Sequence, residues 1–236
     1  MSSPSNLKLR INRMHPCALG YGRRLGIWMQ GCNLACPGCC SLDTWAAGSR
    51  HEIDWPFFTA MLDFGLSGRQ LDGVTISGGE PFQQRETLRA LVHEVRAIQT
   101  RLGADWDILL YTGYVFDEVS ADSEVLGEVD LLVAGPYDAA LPKAALRGSS
   151  NQTLHRLSDR ARMRYSDAWL AGPGLMASMN VAMPGNDIVI AGLPEGGDLP
   201  RLERALSDRG VTFRAHSWRE IPTDEAPKGQ SAAGAP

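Results

Sequence analysis

Three thiols at C-x3-C-x2-C spacing, Cys32, Cys36 and Cys39, constrain this chain more than any other feature in it. They follow an apolar run, Leu25-Gly26-Ile27-Trp28-Met29, that reads as a strand. A strand ending in a cysteine loop brings three sulfurs within reach of one inorganic centre. A structural zinc ion takes four protein ligands, commonly as two separated pairs. Only Cys17 and Cys40 remain to supply a fourth, and Cys40 adjoins Cys39, so those two side chains diverge. A four-iron cubane held by three thiolates, with one iron open, fits the spacing better. An open iron is a position for a substrate, which makes this loop chemistry rather than scaffolding.

The rest of the composition says where such a centre works. A chain of 236 residues, 44% hydrophobic and 21% charged, is that of one ordinary globular domain with a sizeable core. Its net charge of −4 argues against a nucleic-acid partner held by bulk electrostatics. No apolar run has the length to span a bilayer, and the polar start Met1-Ser2-Ser3-Pro4 does not read as a signal peptide. Five cysteines, clustered and odd in number, do not make a disulfide framework. The expected compartment is the reducing cytoplasm.

Along the chain, Leu7, Leu9 and Ile11 alternate with polar residues as in a half-buried strand. A loop is expected from His15-Pro16-Cys17 to Gly22, with Cys17 as a small buried side chain, its alternative being a redox or ligand thiol. Pro37-Gly38 predicts a tight turn that brings Cys36 and Cys39 to one side. Asp54 reads as the N-cap of a helix opened by Trp55-Pro56, with Phe57, Phe58, Met61 and Leu62 as its core face.

A strand over 72–77 runs into Gly78-Gly79-Glu80-Pro81. Two glycines at a strand's end let backbone approach a ligand, and with Glu80 they suit a charged amino-acid head group; the same four residues alone are an ordinary turn. The clearest helix covers 85–102, followed by a strand over 106–111 and Thr112-Gly113-Tyr114. A buried strand at 129–133 ends in Ala134-Gly135-Pro136-Tyr137. Arg147-Gly148-Ser149-Ser150-Asn151-Gln152 is a polar loop with one fixed positive charge, suited to a carboxylate or a ribose, or else a surface turn. Further on, Gly185-Asn186-Asp187 predicts a hairpin turn, 200–209 a short helix and 211–213 a strand. The stretch from Thr223 has the composition of a disordered tail.

The cysteine loop from Gly31 to Gly38-Cys39, with Thr44-Trp45 behind it, resembles that of the radical S-adenosylmethionine (SAM) enzymes, and most of all the anaerobic ribonucleotide-triphosphate reductase-activating proteins. Gly78-Gly79-Glu80-Pro81, Thr112-Gly113-Tyr114 and the loop from Arg147 to Gln152 match the same family in order. The resemblance covers residues 7–157. It implies an α/β fold, a partial open (β/α) barrel of radical SAM type, with the cofactor at the C-terminal ends of the strands. Residues 1–157 would be that core, 158–222 a small C-terminal extension packed on it, and 223–236 the tail.

The cofactors implied are one 4Fe-4S cluster, held by Cys32, Cys36 and Cys39, and SAM. The SAM contacts implied are Gly38, Cys40, Gly78, Gly79 and Glu80, with Arg147 and Asn151 as further candidates. Cys40 stands where relatives often have an aromatic residue, and it reads either as a spare small hydrophobe or as a labile fourth ligand. Ala134 stands where they usually have aspartate, which leaves Asp130 as the nearest carboxylate, a residue that also reads as a cap or an ion-pair partner.

The activity implied is an oxidoreductase reaction: one electron from the cluster cleaves SAM to methionine and a 5′-deoxyadenosyl radical, which takes hydrogen from a glycine of a partner enzyme. Catalysis would rest on the cluster and SAM alone, with the protein supplying orientation. Three readings stand. The first is an activase of a glycyl-radical enzyme such as anaerobic ribonucleotide reductase, served by a flavodoxin- or ferredoxin-type electron donor. The second is a radical SAM enzyme acting on a peptide or small molecule. The third is a non-catalytic iron-sulfur electron-transfer module. None of the three calls for nucleic acid or membrane.

Overall fold

The computed structural model describes residues 7–172, 179–182, 188–194, 197–213 and 218. Strands β1 (Lys8–Cys17) and β2 (Arg24–Met29) come first, then β3 (Glu52–Asp54), helix α1 (Trp55–Leu66), β4 (Gly73–Gly78) and α2 (Arg85–Leu102). β5 (Asp107–Thr112), the short helices α3 (Phe116–Val119) and α4 (Ser123–Leu126), β6 (Leu131–Ala134) and β7 (Thr153–Arg156) complete one sheet. Its order is β3-β1-β2-β4-β5-β6-β7. Among its neighbours β2, β4, β5 and β6 run parallel, as strand–helix alternation dictates, while β1, β3 and β7 pair antiparallel. The sheet is open, with β3 and β7 at its two edges: the α/β class is as expected, and the strands form an unclosed sheet.

Two expectations about β1 and α1 change. β1 continues through His15 and Pro16 to Cys17, pairing Pro16 with Leu25. Proline is tolerated there because β3 pairs only with Lys8, Leu9 and Arg10, leaving β1 an edge strand at that height among the described residues. The strand is further held by His15, whose ring stacks on Trp28 at 4.5 Å. In α1, Phe58 and Leu62 are buried as expected, joined by Trp55 and Leu66. Phe57 and Met61, however, face solvent, at 62% and 37% exposure, because the sheet covers only one side of the helix. Asp54 holds the N-cap position without a side-chain cap bond.

Alternate strand residues divide the molecule in two. Ile27, Met29, Ile76, Ile108, Leu110 and Leu132 point outward and pack against Phe58, Leu62, Leu88, Leu91, Val92 and Val95 of α1 and α2. The α2 stripe recurs every three or four residues and ends at Gly103, whose φ of +61° closes the helix. The other sheet face is covered by α5 (Asp159–Arg164) and α6 (Asp167–Leu170): Tyr165, between them, is buried with Leu109, Leu131 and Val133.

A second hairpin, β8 (Met179–Ala182) with β9 (Val189–Gly192), is antiparallel as predicted, while its Gly185-Asn186-Asp187 turn lies outside the described residues. The same is true of the tail from Thr223. Helix α7 (Asp198–Ser207) covers most of the predicted 200–209. Residues 211–213 form no strand; Val211 instead donates to the Leu206 carbonyl at 3.1 Å, finishing the helix end. Among the described residues no helix is long and apolar enough to cross a membrane.

Candidate functional site

β2 and β4 are parallel neighbours in register, Met29 beside Gly78, so their C-terminal ends deliver the cysteine loop and the Gly78-Gly79-Glu80-Pro81 turn to one place. Backbone hydrogen bonds weld the two. Gly79 N–H donates to the Met29 carbonyl and Glu80 N–H to the Gly31 carbonyl, each at 2.8 Å. The loop's base is closed by its returning segment: Gly31 N–H donates to Thr44 O at 2.7 Å and Cys32 N–H to Trp45 O at 3.0 Å. Gln30, a buried amide that the sequence did not single out, binds the carbonyls of Asp43 and Ala46 at 3.0 and 2.7 Å.

Within the loop, Cys39 N–H donates to Cys36 O at 3.2 Å, and Gly38 has φ +77°, the tight turn predicted from Pro37-Gly38. Cys32, Cys36, Cys39 and Cys40 line a cavity of about 630 Å³, which Gly38, Gly78, Gly79 and Glu80 also border. Burial pushes the Cys32 and Cys40 thiols up to about 11, and Cys39 also rises. Metal binding at such a site therefore releases protons. Among the described residues no three His, Cys, Asp or Glu side chains converge as ligands of a single metal ion would. Three thiolates on separate irons of one cluster need no such convergence, and an all-sulfur donor set on one cavity wall suits iron-sulfur ligation.

The chain's own backbone already requires the two glycines. A Cβ on Gly78, where φ is +109°, would collide with the backbone of Met29, and one on Gly79 with the carbonyl of Gly31. Gly79→Val is accordingly expected to push the turn off the cysteine loop, an overpacking cost of about 1–3 kcal/mol. Most of the iron-binding capacity should go with it. Iron analysis after anaerobic reconstitution checks this; full iron loading would show that the turn accommodates the side chain.

Glu80 is buried and serves as a clamp. Its Oε1 accepts from Phe82 N–H at 2.9 Å and from the Thr112 hydroxyl at 2.8 Å, and its Oε2 from Gly113 N–H at 2.7 Å. Burial raises its pKa against the pull of those three donors. A carboxylate offers about four acceptor positions, so one on Oε2 stays open. Thr112-Gly113 at the end of β5 is thus wired to the glycine turn, and a Cβ on Gly113 would strike Leu34 of the cysteine loop. Gln83 extends the same network to Asn33 and, at 3.4 Å, to the Tyr114 hydroxyl.

Three other predicted ligand contacts lie elsewhere. Asp130 precedes β6 at the opposite end of the sheet, where its carboxylate accepts from Ile108 N–H, Arg96, Ser158 and Arg160 at 2.8, 2.6, 2.5 and 3.2 Å. With its acceptor positions filled, and these donors holding its pKa down against burial, it is an ion-pair residue. Arg147 turns back on its own loop, donating to Gln152 O at 3.2 Å, and Asn151 donates to Pro136 O at 2.9 Å. Neither lines the cavity; their neighbours Gly148 and Gln152 do. Gln152 binds Gly135 O and Gly148 N–H, both at 2.8 Å, and so shapes the rim. Tyr137 also lines the cavity, with Gly38 and Gly148 against its ring, an aromatic neighbour of Cys40 that no local spacing announced. Ala134 belongs to the outer core.

Known proteins resemble the chain over the stretch that carries these residues. Residues 18–155 match the family described as a 4Fe-4S single cluster domain. The anaerobic ribonucleoside-triphosphate reductase-activating protein of Enterobacteria phage T4 is 33% identical over 156 residues, which is 64% of this chain and 96% of that protein. Proteins of the same name from Salmonella typhi and Escherichia coli K12 are each 32% identical, covering 63% and 58% of this chain and 99% and 91% of theirs. Among solved structures, QueE from Escherichia coli aligns with 48% of this chain and 58% of that chain, at 19% identity and a TM-score of 0.34. With more than half of its length matched and nearly the whole of each relative covered, the chain belongs to the 4Fe-4S single cluster domain family, with the anaerobic ribonucleoside-triphosphate reductase-activating proteins.

Proposed function

We propose that this protein is a radical SAM enzyme that installs a glycyl radical on a partner enzyme of the anaerobic ribonucleoside-triphosphate reductase kind. One observation carries the reading: Cys32, Cys36 and Cys39 share a cavity with Gly78, Gly79, Glu80, Thr112 and Gly113, at the C-terminal ends of three adjacent parallel strands. That is where α/β folds place ligands. The relatives' name supplies the partner. Cys32, Cys36 and Cys39 would hold the cluster, while Gly38, Cys40, the glycine turn and the open Oε2 position of Glu80 would bound SAM. When bound, the reduced cluster and SAM supply reductive cleavage of the sulfonium to methionine and a 5′-deoxyadenosyl radical. The chain's own work is to hold the cysteine loop against the glycine turn and to keep Glu80 fixed between Phe82, Thr112 and Gly113. A flavodoxin- or ferredoxin-type protein would deliver the electron. Residues 1–157 would form this catalytic core, with 158–222 as an extension upon it and 223–236 as a tail.

The test is anaerobic. Reconstituted, reduced protein with SAM is expected to give 5′-deoxyadenosine by chromatography, and with the reductase a glycine-centred radical by electron paramagnetic resonance. Deoxyadenosine without a partner radical would redirect the reading to a peptide or small-molecule substrate. Neither product from a fully loaded, reduced cluster would leave an electron-transfer module.

A further inference from the structure

An ion pair stands directly behind the cysteine loop. Asp43 lies in a 3-10 turn, Leu42–Thr44, that follows Cys40 and Ser41. Arg13 reaches it from β1: its Nη1 donates to Asp43 Oδ2, and to Asn12 Oδ1 at 2.6 Å. The guanidinium also lies over the Trp28 ring, 5.5 Å from its centroid, and Trp28 lines the cavity with the cysteines. The turn is held independently of this pair. The side-chain amides of Asn12 and Gln30 donate to the Asp43 carbonyl at 3.3 and 3.0 Å, and the Thr44 hydroxyl donates to Ser41 O at 2.7 Å. Ser41 N–H in turn donates to Cys39 Sγ at 3.4 Å.

As a stabilising contact the pair is poorly built. Both side chains are mostly buried, at 22% and 24% exposure, yet among the described residues Arg13 Nε and Asp43 Oδ1 are buried without a hydrogen-bond partner. A buried pair that leaves a donor and an acceptor unspent recovers little of its desolvation cost. What the pair does supply is charge beside sulfur. Burial is the main reason that the Cys39 and Cys40 thiols titrate high; Asp43 adds to the rise at Cys39, and Arg13 works against that at Cys40. Both charges therefore reach the loop, and each acts on it with its own sign.

We propose that Arg13 and Asp43 set the reduction potential of the iron-sulfur centre held by Cys32, Cys36 and Cys39, Arg13 raising it and Asp43 lowering it. This rests on the cluster proposed above and adds what governs its reduction. Reduction gives the cluster one electron, from the donor protein or, in the assay, from dithionite, and leaves it one unit more negative; no bond forms or breaks. A nearby cation stabilises that reduced form and a nearby anion opposes it. Both residues act through the cysteine loop, so both are positioning residues.

Full-length protein, reconstituted anaerobically, is titrated with dithionite against redox dyes, and the reduced cluster is counted by electron paramagnetic resonance. Arg13→Gln is expected to make the cluster about tenfold harder to reduce, about 59 mV lower for a one-electron couple, and Asp43→Asn to move it as far the other way. Arg13→Lys and Asp43→Glu keep the charges and should stay near wild type. The double variant, Arg13→Gln with Asp43→Asn, should fall between the two single ones. A pair that merely braced the turn would not give shifts of opposite sign. Only loaded protein is read, and if one neutral variant takes up no cluster, the other still gives its sign against its charge-keeping control. Shifts of one sign in both neutral variants, no shift in either, or an equal shift in the charge-keeping variants overturn the proposal. Deoxyadenosine formation is measured separately in wild-type protein. Its failure with the opposite shifts intact removes the radical SAM reading and leaves the role of the pair; its success without them removes that role alone. Wild-type protein that loads no cluster removes both.

Discussion

Replacing Cys32, Cys36 or Cys39 by alanine is expected to abolish the four-iron cluster, whereas Cys17→Ala and Cys40→Ala should retain it. Cys17 is buried with Leu19, Trp28 and Ala191 and does not line the cavity, so it is out of the ligand set on position alone. Cys40 does line it, and its exclusion rests on chain direction: adjacent residues send their side chains apart, and the turn closed by Cys39 N–H on Cys36 O presents Cys36 and Cys39 together. Burial also keeps the Cys40 thiol protonated well above neutral pH, with its pKa pushed up to about 11, although Cys32 is raised to a similar degree and a bound metal overrides such a shift. Iron and sulfide analysis of the five single variants, reconstituted anaerobically, decides the matter. A loss in Cys40→Ala equal to that in Cys39→Ala would make the centre a four-cysteine site and close the iron position on which SAM depends.

Asp107→Asn is expected to destabilise the fold by about 3–5 kcal/mol, because it strips the countercharge from a buried arginine. Arg24 and Asp107 both have side chains at 0% exposure. Their bond is bidentate, Nη1 to Oδ1 at 2.9 Å and Nη2 to Oδ2 at 3.0 Å, and the Tyr165 hydroxyl and Arg164 Nη1 also donate to the carboxylate, at 2.6 and 2.9 Å. Gly20 leaves space for the guanidinium, since a Cβ there would lie 2.8 Å from Arg24 Nε. Urea unfolding followed by circular dichroism measures the loss; a value below about 1 kcal/mol would show that water reaches the pair. Replacing both partners with apolar residues, Arg24→Met with Asp107→Leu, should be milder than Asp107→Asn, since the unpaired charge carries most of the penalty.

The sequence by itself determined the chemistry and the parallel core. Cysteine spacing, Pro37-Gly38, the α2 stripe and the continuous apolar runs of β2, β5 and β6 are local patterns, and short-range geometry turns each into one structure. The motif blocks were legible as blocks, and they meet because parallel strands carry them to one sheet end. Their internal roles were not legible. Glu80 also clamps Thr112 and Gly113, and Gly79 also lies against the Gly31 carbonyl, partners that the sequence does not name. Asp130, Arg147 and Asn151 have side chains suited to a ligand but spend them on the protein.

Tertiary structure alone decided these points, because a polar side chain's partner is set by which strands lie side by side. Arg24 finds Asp107 across 83 positions of sequence, and no periodicity encodes that separation. The same holds for the exposure of Phe57 and for the open edges of the sheet. Each depends on what another part of the chain covers, a quantity that local pattern does not contain.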